Sequence, residues 1–85
     1  MIVYTVFVPP SCMRQLSKLP KDIQKKISHA IGTLAAEPRP AGCKKISTSD
    51  AYRIRIGDYR VIYEIDDKRL VILAIKIGHR REVYK

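Results

Sequence analysis

The chain has 85 residues, 46% of them hydrophobic and 29% charged, with seventeen Lys and Arg against eight Asp and Glu and a formal net charge of +9. That excludes two separate cores and a disordered chain, and predicts a single domain over residues 1–85. The basic balance points to a polyanion or an acidic protein as partner, without separating DNA, RNA and membrane surface.

Ile2 to Val8 is β-rich, and Pro9-Pro10 ends the run. It carries neither the basic flank nor the cleavage site of a secretory leader, so it reads as a strand of a cytoplasmic protein. No segment approaches the ~20 apolar residues of a membrane span. A short helix follows from about Ser11 to Leu19, with Cys12, Leu16 and Leu19 on one side. Pro20 sits where a first helical turn tolerates proline. Lys21 to Glu37 is the strongest helix pattern: Ile23, Ile27, Ala30, Ile31 and Leu34 recur at spacings of three and four. Lys21, Lys25 and Lys26 lie on its other face, and His29 reads as structural. Pro38 to Gly42 is a stop signal and loop.

The second half reads as strands: Lys44 to Ser47 weakly, then Tyr52 to Ile56 and Tyr59 to Ile65, joined by Gly57-Asp58. Asp66 to Arg69 makes the next turn. Leu70 to Ile75 is apolar on both faces, so it belongs inside the sheet, and Gly78 should end it. The predicted fold is α+β: an antiparallel sheet with an N-terminal helical hairpin packed on one face, in the order β-α-α-β-β-β-β.

A Gly57-Asp58 turn sets a register. Ile56 pairs with Tyr59, Arg55 with Arg60, Ile54 with Val61, Arg53 with Ile62 and Tyr52 with Tyr63. Tyr52, Ile54, Ile56, Tyr59, Val61 and Tyr63 then form a core face, and Arg53, Arg55 and Arg60 share the other. Two arginines directly across a strand pair repel. An anion between them removes the penalty, and the guanidinium fork matches a phosphate. In the alternative, the arginines are only the wet face of the sheet, their stems lying over Val71 and Leu73. The tail Gly78-His79-Arg80-Arg81-Glu82-Val83-Tyr84-Lys85 adds arginines, a histidine and a tyrosine at one end of the sheet. Arginines beside an aromatic ring suit single-stranded RNA: the guanidinium groups hold phosphates and the ring stacks on a base.

Cys12 and Cys43 make no disulfide framework and read as free thiols. With His29 and His79 they show no zinc spacing, and no motif for a nucleotide or other cofactor occurs. Neither a metal nor a cofactor is therefore expected.

The string Ala51-Tyr52-Arg53-Ile54-Arg55-Ile56-Gly57-Asp58-Tyr59-Arg60-Val61-Ile62-Tyr63, together with Ile77-Gly78-His79-Arg80-Arg81-Glu82-Val83-Tyr84, resembles the RelE group of the RelE/ParE toxin superfamily. The resemblance implies a toxin of a type II toxin–antitoxin pair with an acidic cognate antitoxin. It also implies a metal-independent endoribonuclease that enters the ribosomal A site, contacts rRNA and cuts mRNA by attack of the 2′-OH on the adjacent phosphate. Family positions fall on Arg53, Arg55, Arg60, Arg80 and Tyr84. Arg53 and Arg55 stand where the family often has lysine. Arginine hardly loses its proton, so these two suit phosphate binding rather than base catalysis. Arg60 and Arg80 are then charge stabilisers, Tyr84 or His79 is left for proton transfer, and Arg81 for RNA contact. The alternatives are a ParE-like inhibitor of DNA gyrase that performs no catalysis, and a plain RNA-binding module.

Overall fold

The computed structural model describes residues 2–46 and 50–79. Its elements are β1 (Thr5–Phe7), α1 (Pro10–Ser17), α2 (Lys21–Thr33), β2 (Lys44–Lys45), β3 (Ala51–Ile56), β4 (Tyr59–Asp66) and β5 (Val71–His79). The five strands form one sheet in the order β1-β5-β4-β3-β2.

Both helices are shorter than the sequence pattern implies, for the same reason. After Ser17, the amides of Lys18 and Leu19 donate to Gln15 and Leu16. After Thr33, those of Leu34, Ala35 and Ala36 donate to Ile31, Gly32 and Thr33. These are three-residue bonds that tighten a last turn and end regular helix. Pro20 and Pro38 then divert the chain. On α1, Cys12 and Leu16 point inward; on α2, Ile27 and Ile31 do, followed by Leu34. Each pair is four residues apart, one face of a helix. His29 lies on the exposed side of α2.

The inward helix residues pack on Ile54, Val61, Tyr63, Ile65, Ile72, Ala74 and Ile77 of the sheet. Tyr63 is fully buried, and its hydroxyl donates to the Pro38 carbonyl at 2.8 Å, tying the loop after α2 to the core. Burial also raises the pKa of that hydroxyl, keeping it a donor. Cys12 and Cys43 are unbridged, and burial pushes the Cys12 thiol up as well.

From β5 to β2 the pairing is antiparallel, but β1 runs parallel to β5, Val6 opposite Ile72. The sheet is thus mixed rather than wholly antiparallel. β5 is interior, as its two-sided apolar composition requires, but it does not stop at Gly78. It runs on to His79, with Gly78 opposite Arg60. Gly78 thus brings no side chain to the row of Arg60. Past Leu73, β1 no longer covers β5. The Gln15 side chain of α1 accepts the Ile77 amide at 2.8 Å in its place.

One polar clasp closes the far end. Asp67, in the β4–β5 turn, accepts from the Tyr4 hydroxyl at 2.6 Å and from the Arg39 guanidinium at 2.9 and 3.3 Å. Arg39 also donates to the Tyr52 hydroxyl at 3.1 Å. The clasp joins the entry to β1, the loop after α2, β3 and the β4–β5 turn. The Arg39 and Tyr4 hydrogen bonds hold the Asp67 carboxyl below the usual carboxylate range. A depressed carboxylate pKa stabilises the fold above the unfolded value, and the contribution is lost as pH falls through the folded one. Asp67→Asn should therefore lower the urea midpoint at pH 7. The gap to wild type should close as pH is taken below about 4, the unfolded carboxylate value. A gap independent of pH would show that the charge of Asp67 is irrelevant.

Candidate nucleic-acid interface

Gly57 has φ +61°, the left-handed conformation required of the first residue in this tight turn. The resulting ladder pairs Ile56 with Tyr59, Arg55 with Arg60, Ile54 with Val61, Arg53 with Ile62 and Tyr52 with Tyr63. This is the expected register. Arg53, Arg55 and Arg60 therefore share the sheet face turned away from the helices.

Register extends that face across four strands. Arg60 lies between Arg55 and Gly78; in the next row Lys44, Arg53, Ile62 and Lys76 stand side by side. Five cationic side chains thus occupy two adjacent rows at one end of the sheet. Lys76 was not legible from strand alternation. A bulge intervenes, because Ile62 faces Lys76 while Tyr63 faces Ala74, leaving Ile75 as the extra residue. The bulge shifts the alternation of β5 by one and turns Lys76 to the arginine side. The only hint in the sequence is that apolar residues at 72, 74 and 77 cannot share one face of a regular strand.

The three arginines are not equivalent. Arg60 is only 6% exposed, whereas Arg55 is exposed and Arg53 is intermediate. A wet face with stems over Val71 and Leu73 does not describe this. Those residues pair in the rows of Asp66 and Glu64, away from Arg60, whose neighbour on β5 is Gly78. A guanidinium held in a strand directly opposite a second arginine is placed to meet an oxyanion lying over the pair.

His79 is not on this face. It pairs with Tyr59, and the two rings meet edge to face, centroids 5.6 Å apart. Arg80, Arg81 and Tyr84 lie outside the described residues. Among the described residues, no group of three His, Cys, Asp or Glu side chains is placed to hold a metal ion. No described helix is long and apolar enough to cross a membrane.

Both the sequence and this fold, a five-stranded sheet with two helices on one face, are matched among known proteins. A family profile described as the ParE toxin of the type II toxin–antitoxin system matches residues 6–84. Toxin RelG of Mycobacterium tuberculosis is 31% identical over 84 residues, spanning 96% of this chain and 97% of the relative. A crystal structure of the archaeal RelE–RelB complex from Pyrococcus horikoshii superposes with a TM-score of 0.83 at 32% identity, covering 92% of this chain and 96% of that one. The mRNA interferase toxin RelE of Escherichia coli is 25% identical over 76 residues, 85% of this chain and 80% of the relative. The chain belongs to the RelE/ParE superfamily of toxins of type II toxin–antitoxin systems.

If the two arginine rows form an oxyanion site, a multivalent oxyanion should stabilise the fold by binding it. Sulfate or pyrophosphate should raise the melting temperature above that in sodium chloride of equal ionic strength. Arg55→Ser should remove most of that difference. Equal melting temperatures in all three salts would count against the site.

Proposed function

We propose that this toxin is a ribosome-dependent endoribonuclease that cuts mRNA in the A site. One observation carries the reading: Arg60, buried and held in a strand, lies directly opposite Arg55, with Arg53, Lys44 and Lys76 in the adjacent row. The name of the E. coli relative, an mRNA interferase, supports it. In this mechanism the 2′-OH of one nucleotide attacks the adjacent phosphate, and the bond to the following 5′-oxygen breaks. A 2′,3′-cyclic phosphate and a 5′-OH result. Charge gathers on the non-bridging oxygens in the transition state, where a fixed guanidinium stabilises more than a solvated one.

Arg60 is assigned that role, with Arg80 beside it; Arg53 and Arg55 bind phosphate, and Arg81 contacts RNA. Proton transfer falls to Tyr84 or His79. The position of His79 favours Tyr84, because the histidine ring would have to leave Tyr59 to reach the arginine face. The reaction as written uses no metal or cofactor. Asp66 accepts the amides of Lys68 and Arg69, and Asp67 holds Arg39 and Tyr4, so both carboxylates have structural tasks. The ribosome supplies the in-line orientation of the 2′-OH, worth several orders of magnitude when reacting atoms are pre-aligned. An acidic RelB-type antitoxin is the proposed cognate partner, as RelB is in the archaeal complex. Action on ribosomes places the toxin in the cytoplasm.

The ParE description of the matching family keeps one other reading in play, a gyrase inhibitor without catalysis. Primer extension on programmed ribosomes separates the two. Cleavage leaving a cyclic or 3′-phosphate end supports the endoribonuclease; a 3′-hydroxyl with a 5′-phosphate would overturn the mechanism. Inhibited supercoiling with intact mRNA would favour the gyrase reading. Arg60→Ala should lose roughly 10²–10³-fold in cleavage rate, the usual cost of removing one transition-state donor, and should no longer arrest growth. Arg60→Lys should recover only part of the rate, since it keeps the charge and loses the fork. An Arg60→Ala toxin that cuts at the wild-type rate would refute the assignment.

A further inference from the structure

β2 is shorter than the strand it borders. It pairs Lys44 with Arg53 and Lys45 with Tyr52, whereas β3 continues to Ile56. The loop before β2 folds on itself instead of extending the ladder. Gly42 takes φ +89°, and the Cys43 amide donates back to the Pro40 carbonyl at 3.0 Å. The last residues of β3 are left with a bare edge. A cavity of about 490 Å³ lies there, between α2, this loop and β3. Ala30, Pro40, Ala41 and Ile54 give it apolar walls, and Lys44 and Arg55 bring charge to it.

The edge itself is polar. Backbone groups along a strand turn alternately to its two neighbours. The Asp50 carbonyl accepts from Ile65 of β4, and the Ala51 carbonyl accepts from Ile46 on the side of β2. By the same alternation Arg53 and Arg55 turn to the β2 side, and Tyr52, Ile54 and Ile56 to β4. Arg53 has Lys44 opposite it. Arg55 lies past the end of β2, and among the described residues no backbone group on that side pairs with its amide or carbonyl. One donor and one acceptor thus stand together at the cavity. The side chain of the same residue stands in the row of Arg60.

We propose that this cavity is a nucleobase subsite, which takes the base of a nucleotide whose phosphate lies on Arg55 and Arg60. The inference rests on the endoribonuclease reading above and adds where the substrate's sequence is read. Every nucleobase carries a donor beside an acceptor on its pairing edge, and the Arg55 amide and carbonyl meet such an edge. Splayed bases of single-stranded RNA are commonly read in this way. The apolar walls receive the ring, as they do in small-molecule sites of comparable volume. Neighbouring strands are ~4.8 Å apart, so the arginine pair and the far edge of β3 lie within the reach of one nucleotide. A free phosphate would leave the apolar walls unused. An added β-strand needs a run of free backbone groups, and here Arg53 is taken by Lys44 and Ile56 by Tyr59.

The test reads base preference rather than overall activity. Ribosomes are programmed with mRNA carrying a randomised A-site codon, and the cut ends are sequenced. The wild-type chain should favour one base beside the cut by about tenfold or more, the discrimination that a fitted pocket supplies. Ala41→Phe narrows the cavity from the loop, and Ala30→Leu narrows it from α2. Either variant should reduce that preference to less than about threefold by slowing the favoured codons most, with preferences at other positions retained. Ala41 is exposed and Ala30 half-buried, so each variant is checked by its melting temperature, and either one that folds decides the matter. An unchanged preference in a folded variant overturns the subsite. So does equal slowing at every codon, which would make the cavity a general contact. Weakened binding of the co-purifying antitoxin with unchanged preference would give the cavity to that partner. A wild-type chain that cuts without base preference overturns the subsite and leaves the endoribonuclease reading standing. A wild-type chain that cuts no mRNA overturns both.

Discussion

The register of the β3–β4 hairpin governs most of what this molecule presents to its surroundings. Gly57 takes a backbone conformation that costs other residues strain, and Asp58 completes a turn only two residues long. With no slack in the turn, every pair along the ladder follows. A slip of one residue would send Ile54, Val61 and Tyr63 into water and the arginines into the helices. The core thus enforces the register. The register in turn sets Arg55 against Arg60, although the pair repels. A like-charge pairing in the ladder is maintained by an apolar face that folding cannot give up.

The remaining strands determine how this pair is surrounded. β5 supplies Gly78 beside Arg60 and, through its bulge, turns Lys76 to the same side. A regular β5 carrying Ile72 and Ala74 inward would turn Lys76 inward too and leave Ile77 outside. The bulge therefore serves both faces at once: it keeps Ile77 in the core and Lys76 with the arginines. Gln15 secures this stretch from the helical side by accepting the Ile77 amide where β1 has run out. The short edge strand β1 and the helix α1 share the work of covering β5.

The hairpin was legible because period-two alternation and a glycine turn are local signals, and both agreed. The two helices were legible for the same reason, though not their ends, which are decided by three-residue hydrogen bonds that hydropathy does not record. The parallel pairing of β1 was not legible, because an edge strand of three residues carries no signal of direction. Neither was the burial of Arg60, because alternation gives the face of an arginine and not its exposure. The Asp67 clasp was hidden more deeply. Asp67 reads as a turn residue and Arg39 as a loop residue, and nothing in either segment announces that 28 residues of chain bring them within 2.9 Å. Side-chain ion pairs between loops are products of the finished fold.

The sheet leaves the molecule with unequal faces. One is closed by α1 and α2, and its residues answer to packing. The other answers to what binds it. The two meet at the free end of β3, where Ile54 turns into the core, Arg55 turns to the open face, and the backbone between them borders the cavity beside α2. Phosphate and base would then be held by one residue of one strand, so a shift of β3 would disturb both contacts together. The register that the core enforces would therefore also fix the spacing between the recognition of charge and the reading of a base.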